Sequence, residues 1–324
     1  LAWKVGFNLD LAIVIVSWNV RGLLEACLTS VYGSLKSSNL RGEVWVVDNA
    51  STDGSAEMVR ERFPQARLMA NETNVGFASA NNQALQAMGF PSTAELHDLS
   101  RYVLLLNPDT EVLDDALTTM VRFLHDNPHA GVAGAKLLYP DGRLHHSAFA
   151  FPTLAQAFLD FFPLHYRLLN SRLNGRYPRR LYERGEPFPI DHPLGAALMA
   201  RGEAIQEVGL LDERFFIYCE EIDWCMRIKK AGWGIYCVPT AEVVHHVAES
   251  TGQVRGQMFA ALWRSRYLLF EKHYSHFYQW AVRRIVRLGL RAEKRRTLAA
   301  HERGEISEAE LESMLKTYQQ VLTI

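Results

Sequence analysis

The stretch FFIYCEEIDWCMR at 215–227 places three carboxylates, Glu220, Glu221 and Asp223, among Phe, Ile, Tyr, Trp, Cys and Met. Acidic side chains in apolar surroundings are paired, bound to a metal or poised to move a proton. Read as a helix start, Asp223 can pair with Arg227 one turn on. Glu220 and Glu221 have no such local partner and point about 100° apart, so one can face a cleft while the other is tied into the scaffold. A carboxylate against apolar walls is the stronger base.

Four further stretches carry chemistry. LLLNPDT at 104–110 ends an apolar run with Asn107, Pro108 and Asp109. The Asp109 carboxylate is either an oxygen donor for Mg²⁺ or Mn²⁺ shared with substrate phosphates or the N-cap of a following helix. In VVDNASTDGS at 46–55, Asp48 is a ligand group or part of an Asx-rich turn. NVGFASANN at 74–82 joins Gly76, which permits close backbone approach, to Asn81 and Asn82, whose amides suit a polar ligand or a buried network. VVHHVAEST at 243–251 sets His245 and His246 after an apolar strand, as a metal ligand or as a structural pair.

Short, nearly all-apolar runs must position these groups. LAIVIVSW at 11–18, EVWVVD at 43–48, ARLMANE at 66–72 and YVLLLNPD at 102–109 alternate with helical patterns, the order of βαβ units around a parallel sheet covered on both faces. A doubly wound α/β domain follows, and in such sheets ligands bind outside the carboxyl ends of the strands. Ser17, Trp18 and Asn19, then Asp48 and Asn49, then Asn107 and Asp109 fall at those ends. From 131 the pattern becomes strand, Pro-Asp-Gly turn and strand in GVAGAKLLYPDGRLHHS. Residues 151–190 read as an excursion over the site or a small helical subdomain. GAALMARGEAIQEVGLLDERF is strand then helix, GIYCVPTAEVVHH supplies late strands, and the remainder is largely helical.

The chain of 324 residues is 48% hydrophobic and 22% charged, an ordinary globular composition. Its four cysteines show no C-x-x-C spacing and no leader-like segment precedes the first apolar run, so a reducing cytoplasm is expected, without a disulfide framework or a zinc site. No apolar run approaches the roughly 20 residues of a bilayer span. Net charge is only −1, yet residues 255–303 hold twelve Lys/Arg against three Glu, a local +9 that leaves about −10 elsewhere. Within 277–298, apolar residues at helical spacing lie beside an Arg-rich face. That pattern favours peripheral attachment to an anionic membrane, on the inner face of the cytoplasmic membrane, over nucleic-acid binding. No G-x-G-x-x-G or G-x-x-x-x-G-K-[ST] follows the first strand, against a dinucleotide-binding Rossmann protein or a P-loop NTPase.

Taken in order, VIVSWN (14–19), VVDNASTDGS, NVGFASANN, LLLNPDT, GAALMAR (195–201), GLLDERFFIYCEEIDWCMR (209–227) and VVHHVAEST resemble the family 2 glycosyltransferases, inverting enzymes of the GT-A fold, and in particular their rhamnosyltransferase-like bacterial members. The resemblance covers roughly residues 11–275. It implies a GT-A domain over 1–254, with a nucleotide-sugar half at about 11–130 and an acceptor half at about 131–254, followed by a helical basic extension over 255–324. It implies that Asp48, with Val16 and Trp18, holds the base of a dTDP-, UDP- or GDP-sugar, with Gly76, Asn81 and Asn107 also on the donor side. Asn107-Pro108-Asp109 takes the place of the D-x-D motif, so Asp109 and His245 are the expected ligands of Mg²⁺ or Mn²⁺. Glu221 takes the general-base position beside Glu220, and the acceptor is a glycan or lipid-linked hydroxyl. The chain departs from the family in the Asn that opens the D-x-D and in a Glu where the family has the Asp base. Two readings compete. A non-catalytic nucleotide-sugar-binding protein would have no use for the acid pair, and a nucleotidyltransferase would need a Gly-rich, Lys/Arg-bearing loop where SWNVRGLLEA stands.

Overall fold

The first strand, β1 (Leu9–Ser17), is buried along nearly its whole length because its β-branched and leucine side chains are covered on both faces of a sheet. The computed structural model describes residues 9–91, 99–162, 164–247 and 255–324. Residues 248–251 of the last motif lie outside the described residues. After β1 come α1 (Arg21–Ser37), β2 (Gly42–Asp48), α2 (Ser55–Arg62), β3 (Arg67–Ala70), α3 (Phe77–Ala87) and β4 (Ser100–Leu106). In α1, Leu24, Cys27, Leu28 and Val31 recur at i, i+3, i+4 and i+7 and are all buried, which lays the helix on the sheet by one stripe. β3, β2, β1 and β4 pair in parallel in that order. The chain continues through β5 (Thr110–Val112), α4 (Ala116–Asp126), β6 (Ala130–Leu138), β7 (Leu144–His145) and β8 (Ala148–Phe149).

Two compact units divide the described chain, and the described residues of 150–178, with 215–219 and 255–324, group apart from the sheet. The sheet unit resumes with α7 (Arg179–Glu183), β9 (Phe188–Pro189), β10 (His192–Pro193), β11 (Ala197–Arg201), α8 (Gly202–Val208), α9 (Glu220–Lys230) and β12 (Gly234–His245). β11 inserts antiparallel between β4 and β6, β12 runs parallel to β6, and β5 closes the order antiparallel to β12. The expected doubly wound α/β architecture is therefore present, with a mixed and mostly parallel sheet. The late strands expected over 234–246 form one long strand with a register shift between Val238 and Glu242.

The second unit contains α5 (Leu154–Phe161), α6 (Tyr166–Leu169), α10 (Arg255–His273), α11 (His276–Glu302) and α12 (Glu308–Thr323). Its core gathers Phe161, Trp263, Phe270, Val286, Leu290 and Val321. A Cβ at Gly289 would stand 2.2 Å from the Phe161 ring, so α11 approaches α5 only because no side chain is there. The helical unit thus draws on 150–178 as well as on the expected extension from 255. The remaining part of the 151–190 segment, 179–190, groups with the sheet.

Candidate active site

Parallel pairing sets Ser17 opposite Asp48 and Ile15 opposite Leu106. The three strands therefore end side by side, and Trp18, Asp48 and Asn107 leave the sheet along one edge. Val16 is buried in β1, whereas Trp18 is 52% exposed, an aromatic face left open at the strand end. The loops after β1 and β2 interlock there. The Asn19 N–H donates to Ser51 Oγ at 2.9 Å, and Asn19 Oδ1 accepts the Thr52 N–H at 2.7 Å. Asp48 divides its carboxylate. Oδ2 accepts the Ser51 N–H at 3.0 Å, as in the Asx-rich turn that is one of its two readings, while buried Oδ1 has no hydrogen-bond partner among the described residues.

Asn49 secures the neighbouring loop. Its side chain donates to Asn74 Oδ1 at 2.8 Å and to the Gly76 carbonyl at 3.3 Å, and it accepts the Val75 N–H at 3.0 Å. Gly76 opens α3 at φ 87°, in the region that favours glycine. The two adjacent asparagines have different surroundings. Asn82 donates to the Leu211 carbonyl and to Glu213 Oε1, each at 2.9 Å, and accepts the Leu211 N–H at 3.1 Å. Asn81 is buried and donates to the Phe77 carbonyl of its own helix. These are the bonds of a buried network, which fastens α3 to the segment ahead of α9.

The Asn107 N–H donates to the Ala196 carbonyl at 2.9 Å, and its carbonyl accepts Thr110 Oγ1 at 2.7 Å, which folds 107–110 into a tight turn. Asp109 leads into β5 rather than a helix, and α4 begins only at Ala116, so Asp109 caps nothing. The antiparallel β5–β12 register, His245 opposite Thr110, brings His245 to Asp109 instead: Nε2 lies 3.3 Å from Oδ1, and both residues are at least nine-tenths buried. The Asp109 carbonyl also accepts the His246 N–H at 2.9 Å. His246 itself turns to Glu111 Oε1 at 2.6 Å, so the two histidines separate in role.

His145 completes this corner and was not picked out from the sequence. Its Nδ1 meets His245 Nδ1 at 3.3 Å, and its ring lies nearly parallel to those of His245 and Tyr139, with centroids 5.1 and 4.5 Å away. The only local signal is the His-His pair after the Pro-Asp-Gly turn. The pairing of β7 with β6 that delivers it spans no recognisable motif.

The three acids of the opening stretch begin α9. Two successive non-glycine residues in the left-handed region, Tyr218 (φ 69°) and Cys219 (φ 67°), turn the chain immediately before it, a conformation concentrated at functional segments. Asp223 is fully buried and accepts Arg227 Nε at 2.9 Å, while the same guanidinium donates to the Val208 and Leu210 carbonyls. It is a scaffold pair. Glu221 is half-buried and packs over Gly195: a Cβ there would lie 3.5 Å from Glu221 Cγ. Gly195 adjoins Ala196, the acceptor of the Asn107 N–H, so Glu221 stands beside the end of β4. Glu220 is buried, with Oε2 lacking a partner among the described residues. Burial, and then the neighbouring Glu221 charge, push its carboxyl well above the usual range.

That shift has a sign. A carboxyl whose folded pKa is raised holds its proton longer folded than unfolded, so stability falls as pH rises from the ordinary glutamate range toward the folded value. Glu220→Gln should raise the melting temperature at pH 7 to 8 and leave it little changed below pH ~4. Thermal melts across that range check this, and equal shifts at both ends would show that Glu220 does not titrate as described.

An α/β sheet of this strand order, with carboxylates at the carboxyl ends of its strands, is of the GT-A type. The chain belongs to glycosyl transferase family 2, whose family model matches residues 12–198, and within it to the rhamnosyltransferase-like branch. It is 30% identical over 276 residues, 79% of this chain and 87% of the relative, to the N-acetylglucosaminyl-diphospho-decaprenol L-rhamnosyltransferase of Mycobacterium tuberculosis. It is 22% identical to the dTDP-rhamnosyl transferase RfbF of Shigella flexneri, over 77% of this chain and 73% of the relative. Among solved structures, the mannosyltransferase PcManGT from Pyrobaculum calidifontis in complex with GDP-Man and Mn²⁺ matches with a TM-score of 0.54 at 16% identity, over 99% of this chain and 87% of that one. That likeness is one of fold.

Proposed function

We propose that this glycosyltransferase moves a rhamnosyl group, with inversion, from a dTDP-linked donor to a hydroxyl of a lipid-linked glycan during cell-surface polysaccharide synthesis. The observations that support the reading are that Asp48 and Asn107 stand at the ends of the two strands flanking β1, that Asp109 meets His245 just after β4, and that Glu221 packs over Gly195 beside the same strand end. The names of the relatives support the sugar, the nucleotide and the lipid-linked acceptor. Asp48 Oδ1, an acceptor without a partner, suits an N–H of the nucleobase, and exposed Trp18 offers a face for it.

The donor set of the corner fits a divalent ion. One carboxylate and one imidazole would supply two protein donors, with the rest of the ion's ligands to come from substrate and water, and the imidazole would favour Mn²⁺ over Mg²⁺. Asp109 and His245, 3.3 Å apart, would hold it; no group of three His, Cys, Asp or Glu suited to a metal occurs among the described residues. The ion would supply Lewis-acid stabilisation of the departing diphosphate. Glu221 takes the proton of the acceptor hydroxyl as its oxygen bonds to the anomeric carbon and the bond to the diphosphate breaks. Burial and the neighbouring Glu221 charge push the Glu220 carboxyl well above the usual range, which makes it the weaker candidate to carry charge in the site.

On this reading the enzyme works at the inner face of the cytoplasmic membrane, as the lipid-linked substrate in the name of a relative suggests. No helix among the described residues is long and apolar enough to cross a membrane. Incubation with dTDP-, UDP- and GDP-sugars, with and without Mn²⁺, and mass detection of glycosylated polyprenyl-diphosphate acceptor test the reading. Rhamnosylated product from the dTDP donor is expected. Tight donor binding without product from any donor would indicate a non-catalytic binder, and pyrophosphate release from a nucleoside triphosphate would indicate a nucleotidyltransferase.

A further inference from the structure

We infer that the outward face of α11 is a docking surface for an anionic lipid bilayer. The inference goes beyond the transfer reaction and stands on the helix itself. One side of α11, with Val282, Val286, Gly289, Leu290 and Thr297, is buried in the helical unit. The other side leaves four large apolar side chains in solvent: Phe277 at 71% exposure, Trp280 at 55%, Leu288 at 56% and Leu298 at 37%. Interleaved with them are six exposed cations, Arg283, Arg284, Arg287, Arg291, Lys294 and Arg295. At 3.6 residues per turn all ten fall within an arc of about 140°, so they form one stripe along the helix.

The charge on this stripe is uncompensated. None of the six cations is in an ion pair among the described residues; the single acid on this part of the helix, Glu293, is paired with Arg296. Arg284 lies over the Trp280 ring at 5.5 Å, and Phe277 stacks on Trp280 at 5.9 Å, which gathers the aromatic end into one wedge with a cation at its rim.

The mixture of side chains selects the partner. A polyanion such as duplex DNA is met by cations alone and has no place for Phe277, Trp280, Leu288 and Leu298. A folded protein partner would disfavour six unpaired like charges unless its own surface were strongly acidic. A bilayer with anionic headgroups accepts both components at once, with aromatic rings at the headgroup boundary and arginines among the phosphates. The length of the stripe, about 30 Å from Phe277 to Leu298 at 1.5 Å per residue, lies along the surface rather than across it.

The test uses the full chain and sedimentation with vesicles of phosphatidylcholine, with and without phosphatidylglycerol. Wild type should be retained by the anionic vesicles at low salt, about tenfold less by neutral ones, and be released toward ~0.5 M NaCl. F277S/W280S should lower retention about tenfold, and R284E/R287E/R291E should abolish it. All these positions are solvent-exposed, so far-UV circular dichroism and melting temperature should match wild type. Absence of retention on anionic vesicles, equal retention on neutral ones, or wild-type binding by F277S/W280S would overturn the inference. So would tighter binding to duplex DNA that is indifferent to the aromatic substitutions. Transfer to a water-soluble acceptor analogue, measured in parallel, should be unchanged in both variants. Loss of transfer in wild type with vesicle binding intact would count against the proposed reaction and leave the surface standing.

Discussion

Glu221→Gln is expected to lower the turnover of sugar transfer by about 10²–10⁴-fold, the range that a positioned general base contributes, with donor affinity within about twofold of wild type. The substitution keeps volume and shape, so the contact over Gly195, where Glu221 Cγ lies 3.5 Å from a would-be Cβ, is preserved. What it removes is the only basic lone pair that the proposed reaction requires. Glu220→Gln is the matched control. Burial shifts that carboxyl toward its protonated form, which an amide mimics, and turnover should fall by less than about tenfold. Single-turnover product formation and titration calorimetry with the dTDP-sugar separate the two effects. Full turnover in Glu221→Gln would dismiss Glu221 from the chemistry. A larger loss in Glu220→Gln than in Glu221→Gln would transfer the role to its neighbour.

Much of the site's scaffold can be read from local pattern. An apolar run that stops at Ser17-Trp18-Asn19, Asp48-Asn49 or Asn107-Pro108-Asp109 announces both a strand and the groups at its carboxyl end, because a strand buried on two faces has to be apolar throughout. The Asp223–Arg227 pair is also local, one helical turn apart. Identical residue types with distant partners are not legible in this way. Nothing in the sequence distinguishes Asn81 from Asn82, and the bonds of Asn82 to Leu211 and Glu213 exist only because α3 meets a segment some 130 residues later. The meeting of Asp109 with His245 depends on a three-residue strand pairing in antiparallel register, too short to carry a pattern of its own, and only the resemblance to a family anticipated it. His145 lacked even that. In the helical unit, the capping box of Thr153 with Gln156 and the buried Ala157 and Phe161 explain why part of the aromatic segment after 150 is helix. Irregular prolines and arginines obscured that signal.

Asp109→Asn is expected to reduce Mn²⁺-dependent transfer by more than about 10²-fold, and to weaken Mn²⁺ binding in the presence of a nucleoside diphosphate by a comparable factor. In the proposed site the stretch 107–109 opens with Asn107, so Asp109 is the one formal negative charge that it would bring to the ion. The amide preserves the size of the side chain and, with it, the His246 N–H bond to the residue 109 carbonyl. Chelation of the metal in wild type should mimic the variant. His145 provides the finer test. An imidazole binds a cation through a nitrogen without hydrogen, so His245 can offer Nε2 on the Asp109 side only while Nδ1 carries the proton. His145 Nδ1, 3.3 Å away, is placed to accept that proton and so to fix the tautomer. His145→Phe keeps a ring on Tyr139 and deletes the acceptor. It should weaken Mn²⁺ affinity ten- to hundredfold, read by electron paramagnetic resonance of free Mn²⁺, at an unchanged melting temperature. Unaltered Mn²⁺ affinity in His145→Phe would reduce His145 to a packing partner. Unaltered affinity in Asp109→Asn would move the ion elsewhere, and with it the electrostatic half of the proposed reaction.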